Sequence, residues 1–104
     1  MIKEVVLTQT ALANYDKILE YLIENWDIAV VNDFIDRFIE ARNILSRNAE
    51  IYPYENQKEQ IRRCVLKKHN VVLFRELKTR VEILMIFDTR QDPKKLAKLL
   101  KRLK

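Results

Sequence analysis

The chain has 104 residues, 48% of them hydrophobic and 34% charged, with a net charge of +5. That length suits one domain spanning 1–104 with no room for a second core. A complete absence of glycine excludes phosphate-cradling glycine loops, and a single cysteine, Cys64, excludes an intrachain disulfide and a cysteine metal cluster. From Met1 the chain runs into Ile2–Leu7, a first strand with no apolar run behind a basic region, and no stretch approaches the roughly 20 residues of a membrane span. A soluble, cytoplasmic protein without membrane contact is expected.

Thr8 or Thr10 can cap the helix that follows. Its apolar stripe is Leu12, Tyr15, Ile18, Leu19, Leu22, Ile23 and Trp26, and it ends near Asn25. Asp27 caps a second helix, with the stripe Ile28, Val31, Phe34, Ile35, Phe38, Ile39 and Leu45. The two helices form an antiparallel hairpin on a sheet, and the aromatic residues of both stripes read as core. With glycine absent, Asn25, Asn48 and Asn70 are the expected substitutes at positive φ.

The segment Ala49–Gln60, with Pro53 and mostly polar residues, holds no sustained period and reads as a connection. Three strands then follow, Cys64–Leu66, Val71–Leu77 and Val81–Asp88, separated by short polar breaks as in an antiparallel meander. Cys64 reads as a reduced sheet residue. The last strand contains VEILMIF, apolar at nearly every position, which marks a central strand covered on both faces. The hairpin covers one face only, so the other needs the final helix, a second copy or a partner. Asp92 and Pro93 open that final helix, basic, with Leu96, Leu99, Leu100 and Leu103 at helical spacing. The fold class is therefore α+β, in the order β-α-α-β-β-β: a helical hairpin on a mainly antiparallel four-stranded sheet, plus a short basic C-terminal helix.

Charge is unevenly spread. From Ile61 onward there are fourteen Lys and Arg against four acids, whereas Met1–Gln60 has six against eleven. The basic half seeks a polyanion, either nucleic acid or an acidic protein. Nothing in the pattern implies a cofactor or metal.

The order of elements resembles the RelE/ParE toxins of bacterial type II toxin–antitoxin modules, including those called plasmid stabilisation proteins. The residues that carry the resemblance are IRR at the second strand, the KKH turn, VVLFRE in the third strand and VEILMIFDTRQDPKKL closing the fourth. The run from Val81 to Leu96 is similar to the ParE-like branch. The resemblance implies a small basic protein that stops growth when free and is neutralised by a cognate antitoxin, with a homodimer or a heterotetramer with the antitoxin as candidate assemblies.

Two targets occur in this superfamily: DNA gyrase for ParE-like members, which act by binding, and the ribosome with its mRNA for RelE-like endoribonucleases. Ribonuclease chemistry needs cations for the developing phosphorane charge, for which Arg62, Lys67, Arg75 and Arg90 are candidates, and a general acid or base, for which His69 in the turn is a candidate. Glu76 and Glu82 are candidate bases on alternating faces of the sheet. All four tyrosines precede the meander, and Asn70 stands where RelE-like members commonly carry an arginine. Contacts to a target or antitoxin are expected from Arg63, Lys68, Arg90, Lys94, Lys95, Lys98 and Arg102. A gyrase-binding toxin is the leading reading, and the endoribonuclease is the alternative.

Overall fold

The computed structural model describes residues 2–88. Arg90, Lys94, Lys95, Lys98, Arg102 and the expected basic helix lie outside them. The order is β1 (Glu4–Leu7), α1 (Gln9–Asn25), α2 (Ile28–Asn48), a 3-10 turn at Ala49–Ile51, then β2 (Tyr54–Asn56), β3 (Ile61–Lys67), β4 (Asn70–Glu76) and β5 (Arg80–Asp88). They build a two-layer α+β fold with a five-stranded sheet ordered β1-β5-β4-β3-β2. β1 runs parallel to β5, and the other neighbours are antiparallel. The fifth strand, β2, corrects the expected four. It arises inside the polar connection because Tyr54 pairs with Arg62 and Asn56 with Ile61, and three residues are too few for a period of two to be recognised.

Local chemistry sets the helix boundaries. The Thr8 hydroxyl accepts from the Ala11 N–H at 3.1 Å, and Asp27 Oδ1 accepts from the Val30 N–H at 3.2 Å, so each helix has a side-chain cap. The expectation that asparagines replace glycine at positive φ is not met. Among the described residues other than glycine only Gln60 has positive φ, at 59°. Asn25 instead lies in the last turn of α1, its amide donating to the Tyr21 carbonyl at 2.8 Å.

Phe34, Phe38, Ala41 and Leu45 of α2 pack with Cys64, Leu66, Val72, Phe74, Val81, Ile83 and Ile86 of the sheet. Tyr15 of α1 joins them with its ring centroid 4.8 Å from that of Phe38 and 5.6 Å from that of Phe34. The hairpin tip departs from the expected stripes: Trp26 is 55% exposed and Ile28 70%. Trp26 is the residue after α1, with extended φ and ψ of −135° and 170°, so the helical period no longer directs its ring to the core.

β5 lies between β1 and β4, as its apolar run implied. Between Leu73 and Phe74 the register slips, so that Leu73 faces Met85 while Phe74 faces Ile83. The extra residue, Leu84, forms a bulge that puts Leu84 and Met85 together on the face away from the helices, where both are buried with Ile61 and Leu73. β1 accompanies β5 only as far as Ile83, and beyond that point the start of α1 supplies partners. The Thr8 N–H donates to the Ile83 carbonyl at 3.0 Å, the Thr8 hydroxyl to the Leu84 carbonyl at 2.9 Å, and the Ile86 N–H to Asn14 Oδ1 at 3.1 Å.

Candidate functional site

Strand alternation sorts the candidate cations by face. On β3, Arg62 shares the helix side with Cys64 and Leu66, whereas Arg63 and Val65 point the other way. On β4, Arg75 points away from the helices because its neighbour Phe74 packs beneath them.

Each of these side chains is engaged locally. The Arg62 guanidinium donates to the Tyr52 carbonyl at 2.6 Å, the Glu50 carbonyl at 3.2 Å and the Tyr54 hydroxyl at 2.9 Å, and lies 4.1 Å from the Tyr54 ring centroid. It anchors the connection between α2 and the sheet. Lys67 donates to Asp33 at 2.7 Å, and the same carboxylate accepts from Arg37 at 3.1 Å, tying β3 to α2. Hydrogen bonds from Lys67 and then from Arg37 hold the Asp33 carboxyl below its usual range. Arg75 donates to the Glu59 carbonyl at 3.1 Å, and Arg63 lies 3.6 Å from Glu55.

Position along the strands separates them further. Arg62 and Lys67 are five residues apart on β3, about 17 Å at strand rise, and Arg75 sits near the Arg62 end on the opposite face. Arg62, Lys67 and Arg75 therefore do not converge on one phosphate-sized space. The candidate bases also part company: Glu76 receives Lys3 Nζ at 3.0 Å, and Glu82 receives Arg80 at 3.0 Å.

Lys67, Lys68 and His69 do meet, at the turn between β3 and β4, where they form one rim of an open cleft of about 300 Å³. Tyr21, Trp26 and Phe34 of the helical hairpin form the facing wall. The expectation of a buried Trp26 hid this wall, and its sequence signal was the indole's position between the end of one helix and the cap of the next. Asp33 was also missed, because its partner Lys67 is thirty-four residues away.

Cys64 is buried and free. Burial raises its thiol pKa, and burial followed by the neighbouring thiol pushes the Tyr52 hydroxyl up from 10.0 to about 12. A raised folded pKa means that Tyr52 contributes stability that is whole below pH 10 and is lost as pH climbs toward 12. Tyr52→Phe is expected to flatten the fall of Tm across that interval, and identical pH profiles for both chains would remove Tyr52 as a source of it. Among the described residues, no group of three His, Cys, Asp or Glu side chains is placed to hold a metal ion, and no helix is long and apolar enough to cross a membrane.

Residues 5–93 match the family model described as ParE toxin of the type II toxin–antitoxin system parDE. The chain belongs to the ParE toxin family. Its fold agrees with that placement. A chain of the chromosomal ParDE system of P. aeruginosa superposes on this ParE-family chain with a TM-score of 0.70 at 17% identity, covering 84% of this chain and 96% of the other. A conserved hypothetical protein of Helicobacter pylori has a TM-score of 0.57 at 15% identity, with coverage of 86% and 97%. A chain of the E. coli DinJ–YafQ toxin–antitoxin complex gives 0.60 at 7% identity, with coverage of 86% and 96%. No curated protein matches the sequence. At these identities the structural likenesses speak for the fold, and the family match carries the assignment as a type II toxin.

Proposed function

We propose that this toxin arrests bacterial growth by binding DNA gyrase in the cytoplasm, and that a cognate antitoxin holds it inactive. Membership of the ParE family supports the target class. The observation that favours binding over RNA cleavage is the dispersal of Arg62, Lys67 and Arg75. Arg62 is committed to two carbonyls and a tyrosine, Lys67 to Asp33 and Arg75 to a loop carbonyl, on different faces and at different ends of the sheet. General acid–base cleavage needs its groups within hydrogen-bond reach of one phosphodiester. A binding toxin needs only an accessible charged surface, which Arg63 and Lys68 offer, with Arg90, Lys94, Lys95, Lys98 and Arg102 as further proposed contacts to target or antitoxin.

The test is induction in a bacterium, with messenger RNA integrity and the DNA damage response followed within minutes of growth arrest. Intact messages with a prompt DNA damage response are the expected result. Early ribosome-dependent cuts in messages would instead make the chain an endoribonuclease and remove gyrase as its target.

A further inference from the structure

Trp26 is the single tryptophan of the chain, and it stands on the two-residue link between α1 and α2. The link is held on both sides: the Trp26 N–H donates to the Leu22 carbonyl at 2.9 Å, and Asp27 beside it caps α2. An indole on so firmly placed a backbone, yet 55% exposed, loses little freedom when a flat partner stacks on it. Tyr21, 50% exposed, belongs to the same wall of the cleft. The β3–β4 hairpin faces them. Lys67 pairs with Asn70, so Lys68 and His69 are the two turn residues, and all four line the cleft. Lys67 is engaged by Asp33 at 2.7 Å. Among the described residues no carboxylate lies within ion-pair distance of Lys68 or His69. Between Ile61 and Arg75 there are five Lys and Arg and no acid, so the rim of the cleft is attractive to an anion.

We propose that this cleft binds one unpaired nucleotide, its base stacked against Trp26 and Tyr21 and its phosphate held by the Lys68 ammonium and a His69 ring N–H. The inference goes beyond the gyrase reading and does not depend on it. Size limits the occupant. About 300 Å³ is the lower end of the range of roughly 300 to 1,000 Å³ for small-ligand sites, which suits one nucleotide. A docked helix, about 10 Å across with its side chains, needs a longer trough. Chemistry selects within that size. An acidic side chain satisfies the rim and leaves the aromatic wall wet, whereas an apolar one covers the wall and leaves Lys68 without a counter-charge. A nucleotide brings a π-face and an anion together, the pairing on which single-stranded nucleic acid binding rests. Stacking accepts every base, and the Asn70 amide offers a donor and an acceptor to a base edge. The cleft lies on the helix side of the sheet, since Asn70 alternates with Val72 and Phe74 beneath the hairpin, and it is therefore separate from the face that carries Arg63 and Arg75.

The test titrates the full chain with an oligothymidylate of about twelve nucleotides, with thymidine monophosphate and with deoxyribose 5-phosphate. Because Trp26 is the only tryptophan, quenching of its fluorescence reports the stack directly. Saturable quenching by the first two probes is expected, weaker as salt rises, with none from the sugar phosphate. An affinity for the oligonucleotide roughly tenfold or more above that for the monophosphate assigns the site to a single strand, and equal affinities assign it to a free nucleotide; both support it. Trp26→Ala, followed by anisotropy of a labelled oligonucleotide, and Lys68→Glu should each weaken binding roughly tenfold. Their Tm should be nearly unchanged, since both side chains are exposed. If Trp26→Ala is unfolded, Trp26→Phe keeps an aromatic face and should retain most of the binding. Lys78→Glu makes the same change of charge at an exposed residue of the β4–β5 turn, at the opposite end of β4, and should have little effect. Equal losses from Lys68→Glu and Lys78→Glu would mean diffuse attraction of a polyanion and overturn the site. Absence of quenching by both nucleotide probes overturns it as well. So does displacement of the oligonucleotide by polyglutamate at equal charge, which would make the occupant an acidic protein.

Discussion

Phe74→Ala is expected to destabilise the protein by about 3–5 kcal/mol, the range for truncating a fully buried phenylalanine. Phe74 has no exposed surface, packs beneath the helical hairpin and meets Tyr52 edge-on, ring centroids 5.8 Å apart at 87°. It also lies beside the register slip, opposite Ile83, so the surrounding backbone is already committed by the bulge and has little freedom to collapse into the space left. A domain of this size has a total stability of about 5–15 kcal/mol, so this one change removes a large share. Thermal unfolding followed by circular dichroism should show Tm lowered by roughly 12 °C or more. A fall of only a few degrees would mean that Phe74 is not a central packing residue.

Thr8→Val should cost about 2–4 kcal/mol, although it changes a single partly exposed residue and preserves its shape. The hydroxyl accepts from the Ala11 N–H, capping α1, and donates to the Leu84 carbonyl at the bulge. Losing the cap costs about 1 kcal/mol, and leaving the carbonyl without its partner adds about 1–3 kcal/mol. Thr8→Ser keeps both hydrogen bonds and should recover most of the loss in chemical denaturation. Equal midpoints for Thr8→Val and the parent chain would show that water replaces the hydroxyl at the bulge.

Thr8 also marks the limit of what the sequence discloses. A hydroxyl before an amphipathic run is a recognisable cap, as is Asp27, because the interaction spans three residues. The second role of Thr8 depends on Leu84, seventy-six residues away, and on a bulge created by mismatch between two strands. The major strands were legible because Val71–Leu77 and Val81–Asp88 are dense in β-branched and large apolar residues. β2 was not, since its three residues are specified by Arg62 and Ile61 across the pair and not by their own pattern. The candidate site was less legible than the fold. Sequence marks Arg62 and Lys67 as cations but not their committed partners, the Tyr52 carbonyl and Asp33. It likewise marks Trp26 as apolar without showing that its helix ends just before it.

The parallel pairing of Glu4–Leu7 with Arg80–Ile83 joins the first described strand to the last. Such a contact closes a loop of most of the chain and is an entropically slow, late event in folding. During synthesis β5 emerges after every element it must bridge, and β1 and β4 have no common neighbour until it arrives. A polypeptide released before Arg80 therefore holds two capped helices and a β3–β4 hairpin but no sheet spanning them. Premature termination leaves the sheet in two parts, and the five-stranded sheet is complete only when translation has passed the strand that closes it.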